Sequence, residues 1–387
     1  MSDAQIEIQV IAMIVAASCA IPGVFLVLRR MSLISDAISH SILLGIVIGF
    51  FITRDLNSPL LILLAALTGV VTIIMVEMIQ RSKLVKEDTA IGLVFPLLFS
   101  IGVILISKNA NDIHLDVDAV LIGELAFAPF DRFLFNGMDL GPKSLWIMGT
   151  ILILTITLLL LFFKELKVTT FDKGLAASMG ISPLIFHYGL MSVSSITIVG
   201  AFDAVGAILV VALMIAPAAT AYLLTTNLKR MIGISILFGI TSAIGGYWLA
   251  HYLDASISGS MTTVLGIIFL ITFLFAPDKG LIANLYRHKK QKIEVSLITF
   301  LLHLNNHKDE IEARQFIHLQ EHFNWHKPYA ESVVDLALKN NMIHFDNDLI
   351  SLTDKGKNFT KLTLDYILTN RDDQIEHLKS TFFLFRG

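Results

Sequence analysis

The stretch MSLISDAISHSILLGIVIGF, residues 31–50, is apolar enough for a membrane helix, yet it holds Asp36 and His40 four positions apart. A transmembrane helix needs ~20 largely apolar residues. An ionisable residue inside a spanning segment costs about a few kcal/mol and marks a pathway or a site by default. At i and i+4 the carboxyl and the imidazole share one helix face. What that face holds governs the reading of the whole chain.

Hydrophobic residues make up 55% of the 387 and charged residues only 16%, against ~25% charged in a soluble domain. The mean hydropathy is +0.73. The expected fold class is an all-α polytopic membrane protein for most of the length. The formal net charge of -3 points to no class of partner, and the single cysteine, Cys19, excludes a disulfide framework or a cysteine-rich metal cluster. The N-terminus, MSDAQIEIQV, lacks a basic region and a small-residue cleavage site, so no cleaved signal peptide is expected.

Candidate spans lie at roughly 6–28, 33–53, 58–80, 89–107, 145–163, 183–201, 204–226, 231–252 and 259–276. Only Phe202 and Asp203 separate the sixth from the seventh, so nine spans, or eight with a re-entrant piece, both fit. The stretch AVLIGELAFAPF, 119–130, is too short to span and reads as re-entrant or interfacial. Basic residues follow every odd span: Arg29 and Arg30; Arg81, Lys83 and Lys86; Lys164 and Lys167; Lys229 and Arg230; Arg287, Lys289, Lys290 and Lys292. By the positive-inside rule the N-terminus is outside and the C-terminus cytoplasmic.

A carboxylate oxygen with an imidazole nitrogen suits Mn²⁺, Fe²⁺ or Zn²⁺. Two ligands are too few for a tight site. A homodimer with this face on its two-fold axis supplies two Asp and two His. An internal Asp–His hydrogen bond, or polar contact between helices, is the competing reading. Ser35, Ser39 and Ser41 flank the pair and read as packing residues, with support of the ligands as the alternative.

Five blocks carry a family resemblance: MSLISDAISHSILLGI at 31–46, KEDTAIGLVF at 86–95, HLDVD at 114–118 with LIGE at 121–124, FDKGLAASMGI at 171–181, and FDAVGAILVVALMIAPAAT at 202–220. In that order they resemble the ABC-transporter permeases for divalent metals, the manganese, zinc and iron importers, over about residues 5–280. The resemblance implies that Asp36 and His40 are the metal-coordinating pair of a translocation pathway shared across a permease homodimer. It implies that the cytoplasmic segment Phe171, Asp172, Ala176, Ala177 and Gly180 is the coupling helix that docks on an ATPase subunit. An extracytoplasmic metal-binding protein would deliver the ion, and the setting would be the bacterial cytoplasmic (inner) membrane. Leu44 stands where such permeases often carry proline, so less kinking is expected in this helix.

No G-x-x-x-x-G-K-[ST] stretch occurs in the sequence, so any ATP hydrolysis belongs to a separate subunit and the chain is not expected to be an enzyme. Nor is there an H-E-x-x-H motif. No tightly bound cofactor is expected; the divalent ion is cargo. The acidic stretch with Asp112, His114, Asp116 and Asp118 reads as a solvated loop or an attractor of cations, and Glu124 as a pathway or interface residue.

The domain division expected is 1–285 for the membrane permease and 286–387 for a cytoplasmic α+β domain. Three amphipathic segments, a hairpin signal around 346–348 and a closing helix suggest a winged helix. Residues 342–345 and 349–356, MIHF and LISLTDKG, resemble the winged-helix domain of iron- and manganese-dependent repressors. DNA is an unlikely partner: residues 287–387 hold 14 basic and 14 acidic residues, with Glu331 and Asp335 on the helix that would face phosphate. His318, His322 and His326, at i, i+4 and i+8, are candidates for a regulatory metal site, and His303 and His307 repeat the spacing. A membrane metal sensor, and a permease for a metal chelate, are the alternatives to the ion importer.

Overall fold

The first helix, α1 (Asp3–Leu28), carries no polar stripe, and 78% of its most apolar window is buried inside the protein. A helix apolar on all sides and packed on all sides belongs at the centre of a bundle. The structure is a computed structural model that describes residues 3–54, 58–109, 125–135, 138–346 and 349–369. It divides into two units, residues 1–279 and 280–387.

In the first unit α1 is followed by α2 (Leu33–Thr53), α3 (Pro59–Arg81), α4 (Glu87–Asn109), a 3₁₀ turn (Leu125–Phe130) and an antiparallel hairpin, β1 (Arg132–Phe135) with β2 (Met138–Pro142). Then come α5 (Lys143–Leu161), α6 (Phe163–Phe171), α7 (Lys173–Ser178), α8 (Pro183–Leu224), α9 (Leu228–Leu253) and α10 (Ile257–Phe275). Eight of the described helices are long and apolar enough to span a membrane. The expected span limits are met within a few residues. Several helices start a turn or less earlier than the apolar run, because polar residues such as Glu87 and Lys143 form their first turn.

The exception is α8. Its 42 residues would stretch ~63 Å as one rod, about twice the hydrocarbon core. The helix is broken at Gly206, with φ 77 and ψ 165. Leu190 from its first limb and Ala218 and Ala221 from its second share one small apolar cluster with Ile21, Val24 and Phe25 of α1. In a straight helix Leu190 and Ala218 would be ~42 Å apart, so the second limb folds back beside the first. α8 is thus two limbs lying side by side, not one rod. The reversal falls at Gly206 and not at Phe202-Asp203 as the sequence suggested, because Asp203 stays helical and only glycine readily takes that backbone conformation.

Close approach of backbones tightens the bundle, as expected where lipid removes the hydrophobic drive between helices. A side chain on Gly45 of α2 would collide with the backbone of Leu64 and Ala65 on α3, and one on Gly23 with that of Met214. The stretch 119–130 is described only from Leu125. There Leu125 and Ala128 are buried against the bundle while Phe127 and Phe130 are exposed. The hairpin is held to the start of α1 by Arg132, which bonds Glu7 at 3.2 Å and Asp139 at 2.5 Å.

The second unit contains α11 (Leu281–Asn306), a 3₁₀ turn (Glu312–Arg314), α12 (Phe316–His322), α13 (Lys327–Lys339), the hairpin β3 (Ile343–Asp346) with β4 (Leu349–Leu352), and α14 (Asp354–Thr369). Leu297, Leu301 and Leu304 of α11 pack with Val333, Val334 and Ala337 of α13 and with Ile343, Ile350 and Phe359. Arg314 anchors the hairpin through the Ile350 carbonyl, at 3.2 Å, and the Ser351 hydroxyl.

Gly206→Ala should lower the stability of the detergent-solubilised protein by about 1–3 kcal/mol, the cost of a side chain in this glycine-only region. Gly149→Ala, where an added methyl meets only open space, should be neutral or slightly stabilising. Thermal unfolding of the two variants side by side measures the difference.

Candidate functional site

Asp36 lies in the first turn of α2, where an acid is favoured by the helix dipole. One turn on, His40 Nε2 stands 3.5 Å from Asp36 Oδ1. The imidazole stacks on Phe95 of α4, centroids 5.5 Å apart and planes at 30°, and meets Phe99 edge-on at 6.3 Å. Two aromatic rings on one helix therefore fix the plane of a ring on another. Asp36, Ser39 and His40 open into a pocket of about 290 Å³ whose other wall is Ala207, Ile208 and Val211, the residues just past the Gly206 reversal. The acid and the imidazole keep 43% and 34% of their side-chain surface accessible.

The flanking serines pack. Ser35 and Ser39 donate to the carbonyls of Ser32 and Asp36 on their own helix. Ser41 bonds the Ile38 carbonyl and receives a 2.7 Å hydrogen bond from Thr72 of α3. α2 runs unbroken through Leu44, as the absence of proline predicts. Among the described residues no three His, Cys, Asp or Glu side chains are already grouped to hold an ion. One chain brings two donors to this pocket.

A second polar cluster was not anticipated. Glu77 of α3 pairs with His187 of α8, accepts a 2.7 Å hydrogen bond from the Tyr188 hydroxyl and lies 3.6 Å from Arg81. The available signal was a lone carboxyl in the apolar run IIMVEMIQR and a histidine near the start of the 183–201 span. The cluster ties α3 to the first limb of α8, reinforced by the Ser195 hydroxyl on the Ala66 carbonyl.

The segment singled out for coupling forms the end of α6 and the short α7. Asp172 caps α7 by accepting from Leu175 N at 2.9 Å, and Gly180 ends the segment at φ 77. Ala176 is fully buried, so it does not belong to an approachable small-residue face, whereas Phe171, Leu175 and Met179 are exposed. Ala177 is exposed as well. Behind this face Arg29, at the end of α1, bonds the hydroxyls of Thr169 and Thr170. Asp112, His114, Asp116, Asp118 and Glu124 lie outside the described residues.

In the second unit the expected triad is not formed. α12 ends at His322, and His326, in extended backbone (φ -64, ψ 143), is the residue before α13. Pro328 in the first turn of α13 starts a new helix there and so prevents the i, i+4, i+8 face. His318 and His322 remain one turn apart on α12.

Apolar helices arranged around a pocket that exposes an acid and an imidazole describe a multi-pass membrane protein with a polar interior surface. Residues 3–276 match the ABC 3 transport family, and the chain belongs to it. It is 45% identical over 362 residues to the zinc transport system membrane protein TroD of Treponema pallidum, covering 93% of this chain and 98% of that protein. It is 43% identical to the manganese transport system membrane protein MntD of Bacillus subtilis, over 71% of this chain and 92% of that one. A solved structure, PsaBC from Streptococcus pneumoniae in complex with Fab, matches with a TM-score of 0.61 at 30% identity, covering 72% of this chain and 94% of that chain. The chain is a permease subunit, not an enzyme; ATP hydrolysis belongs to a separate subunit.

Tyr188→Phe should cost about 1 kcal/mol of stability, the ordinary worth of a hydrogen bond, and Glu77→Leu should cost more. The double variant should be no less stable than Glu77→Leu alone, because both remove the same carboxylate contact. Unfolding of the three variants in detergent checks this.

Proposed function

We propose that this permease is the membrane subunit of an ATP-driven importer of Mn²⁺, Zn²⁺ or Fe²⁺, and that Asp36 and His40 hold the ion in transit. The observation that carries the reading is an acid and an imidazole, four residues apart on a membrane helix, facing a pocket instead of being paired away. Left against lipid they would cost several kcal/mol. A pathway surface relieves that cost.

The ion is substrate here. Two donors from one chain are half of a tetrahedral set. A second copy related by a two-fold axis supplies the other Asp36 and His40. Ile208 in the same pocket wall is 64% exposed in the single chain, which suits a face covered by that second copy. The absence of a thiolate favours the harder ions of the three.

The basic loops place α6 and α7 in the cytoplasm with the C-terminus, and the N-terminus outside, in a bacterial cytoplasmic membrane. There the exposed Phe171, Leu175 and Met179, shaped by the Asp172 cap and the Gly180 stop, are the surface on which the ATPase subunit docks. An extracytoplasmic binding protein delivers the ion. Nucleotide-driven movement of the ATPase then exposes the Asp36/His40 pocket alternately to the two sides.

The test is cellular manganese, zinc and iron content in a transporter-deficient bacterium expressing the chain with its ATPase and binding protein. Asp36→Ala and His40→Ala should abolish the gain of one metal. Phe95→Ala should reduce apparent affinity up to ~10-fold, the worth of an aromatic contact. Unchanged uptake in both ligand variants would sink the proposal. Leu175→Asp should abolish uptake and co-purification of the ATPase while leaving metal binding by the permease intact.

A further inference from the structure

The second unit gathers four imidazoles that the permease reading leaves without a role. His303, in the last turn of α11, lies with its ring centroid 4.6 Å from that of His322, 4.7 Å from His307 and 5.9 Å from His318. His318 and His322 are 5.5 Å apart. His303 is buried, at 8% exposure, and its Nε2 has no hydrogen-bond partner among the described residues. A buried polar nitrogen left unpaired is destabilising, a cost that a leucine at this position would avoid. Phe323 stands edge-on to both His303 and His322, with Trp325 stacked behind it, so the cluster has a rigid apolar wall. Glu310 bonds His307 Nδ1 at 3.1 Å, the kind of carboxylate contact that orients a ligand histidine.

The chemistry of the group is one-sided. Burial and the neighbouring His322, His307 and His318 push the His303 pKa down to about 4, so its ring is neutral at pH 7 and keeps a free lone pair. Imidazoles bound to one tetrahedral ion at ~2.0–2.1 Å have centroids about 5 Å apart, and the four separations straddle that value. The ring nitrogens do not yet converge on one point; rotation of the exposed His322 and the half-buried His318 is what closes the set.

We propose that His303, His318 and His322, with His307 beside them, form a binding site for a borderline divalent ion of the Zn²⁺ class, separate from the Asp36/His40 pocket. All-nitrogen donors suit Zn²⁺, Co²⁺ or Ni²⁺ and disfavour Mn²⁺, which prefers oxygen. The occupied site would clamp α12 to the end of α11.

The experiment uses the purified full-length chain with Asp36→Ala and His40→Ala, which removes the pocket donors, and Co²⁺ as the probe. One Co²⁺ per chain should bind with the visible absorption of a tetrahedral nitrogen site, quench emission from Trp325 and be displaced by Zn²⁺. Adding His318→Ala and His322→Ala should weaken binding at least 100-fold. Neither side chain is buried, so the fold survives; His322→Gln alone, expected to lose ~10-fold, is the second variant. Absence of Co²⁺ binding in the starting chain, or binding unchanged by the histidine variants, would overturn the proposal. Either result leaves the transport reading untouched, because the pocket donors are absent throughout.

Discussion

Everything in the membrane unit depends on one backbone reversal. A 42-residue apolar helix cannot remain straight inside a layer about half its length. Breaking it mid-membrane would strand backbone donors and acceptors that lipid cannot satisfy. The chain confines the break to Gly206 and surrounds it with protein: Ala204, Val205 and Ala207 are all buried, and the Ser258 hydroxyl takes up the Val205 carbonyl. The residues that follow the break then become the wall facing Asp36 and His40. The polar pocket is thus a product of topology as much as of the two residues that give it chemistry.

The polar groups of the membrane unit fall into two kinds. Glu77 draws His187, Tyr188 and Arg81 together and knits α3 to α8. Asp36 and His40 touch each other only at 3.5 Å and stay open. The first arrangement spends its hydrogen-bonding capacity on structure. The second holds it in reserve, and aromatic stacking supplies the orientation that a fully bonded network would otherwise give.

Much of this was legible in the sequence because membrane helices obey a simple length and polarity rule. The limits of α2, α3, α9 and α10 follow from apolar runs alone, and Asp36 and His40 stand out by cost. The reversal was misplaced by three residues: Asp203 looked like a loop residue by polarity, whereas the decisive property was the φ that Gly206 permits. The hairpin β1–β2 had its signal in Asn136-Gly137 between RFLF and MDL, a pair typical of tight turns, hidden beside louder apolar stretches. Residue size says nothing about which way a helix faces, and the inward turn of Ala176 on α7 is set by packing. The histidines were read along one helix; the structure gathers them from two, and only tertiary packing carries that information.

One modest contact has a mechanical consequence. Arg29 bonds Thr169 and Thr170 at 3.2–3.3 Å, and it precedes a tight corner, with Arg30 at φ 61 and Met31 N bonded to the Leu26 carbonyl. That corner has little slack, and Asp36 lies just beyond it, in the first turn of α2. The strap makes α6 and the root of α2 a single linkage. Thr169 and Thr170 are thereby fastened to the corner that leads straight into the turn carrying Asp36, so α6 cannot shift without straining the root of α2.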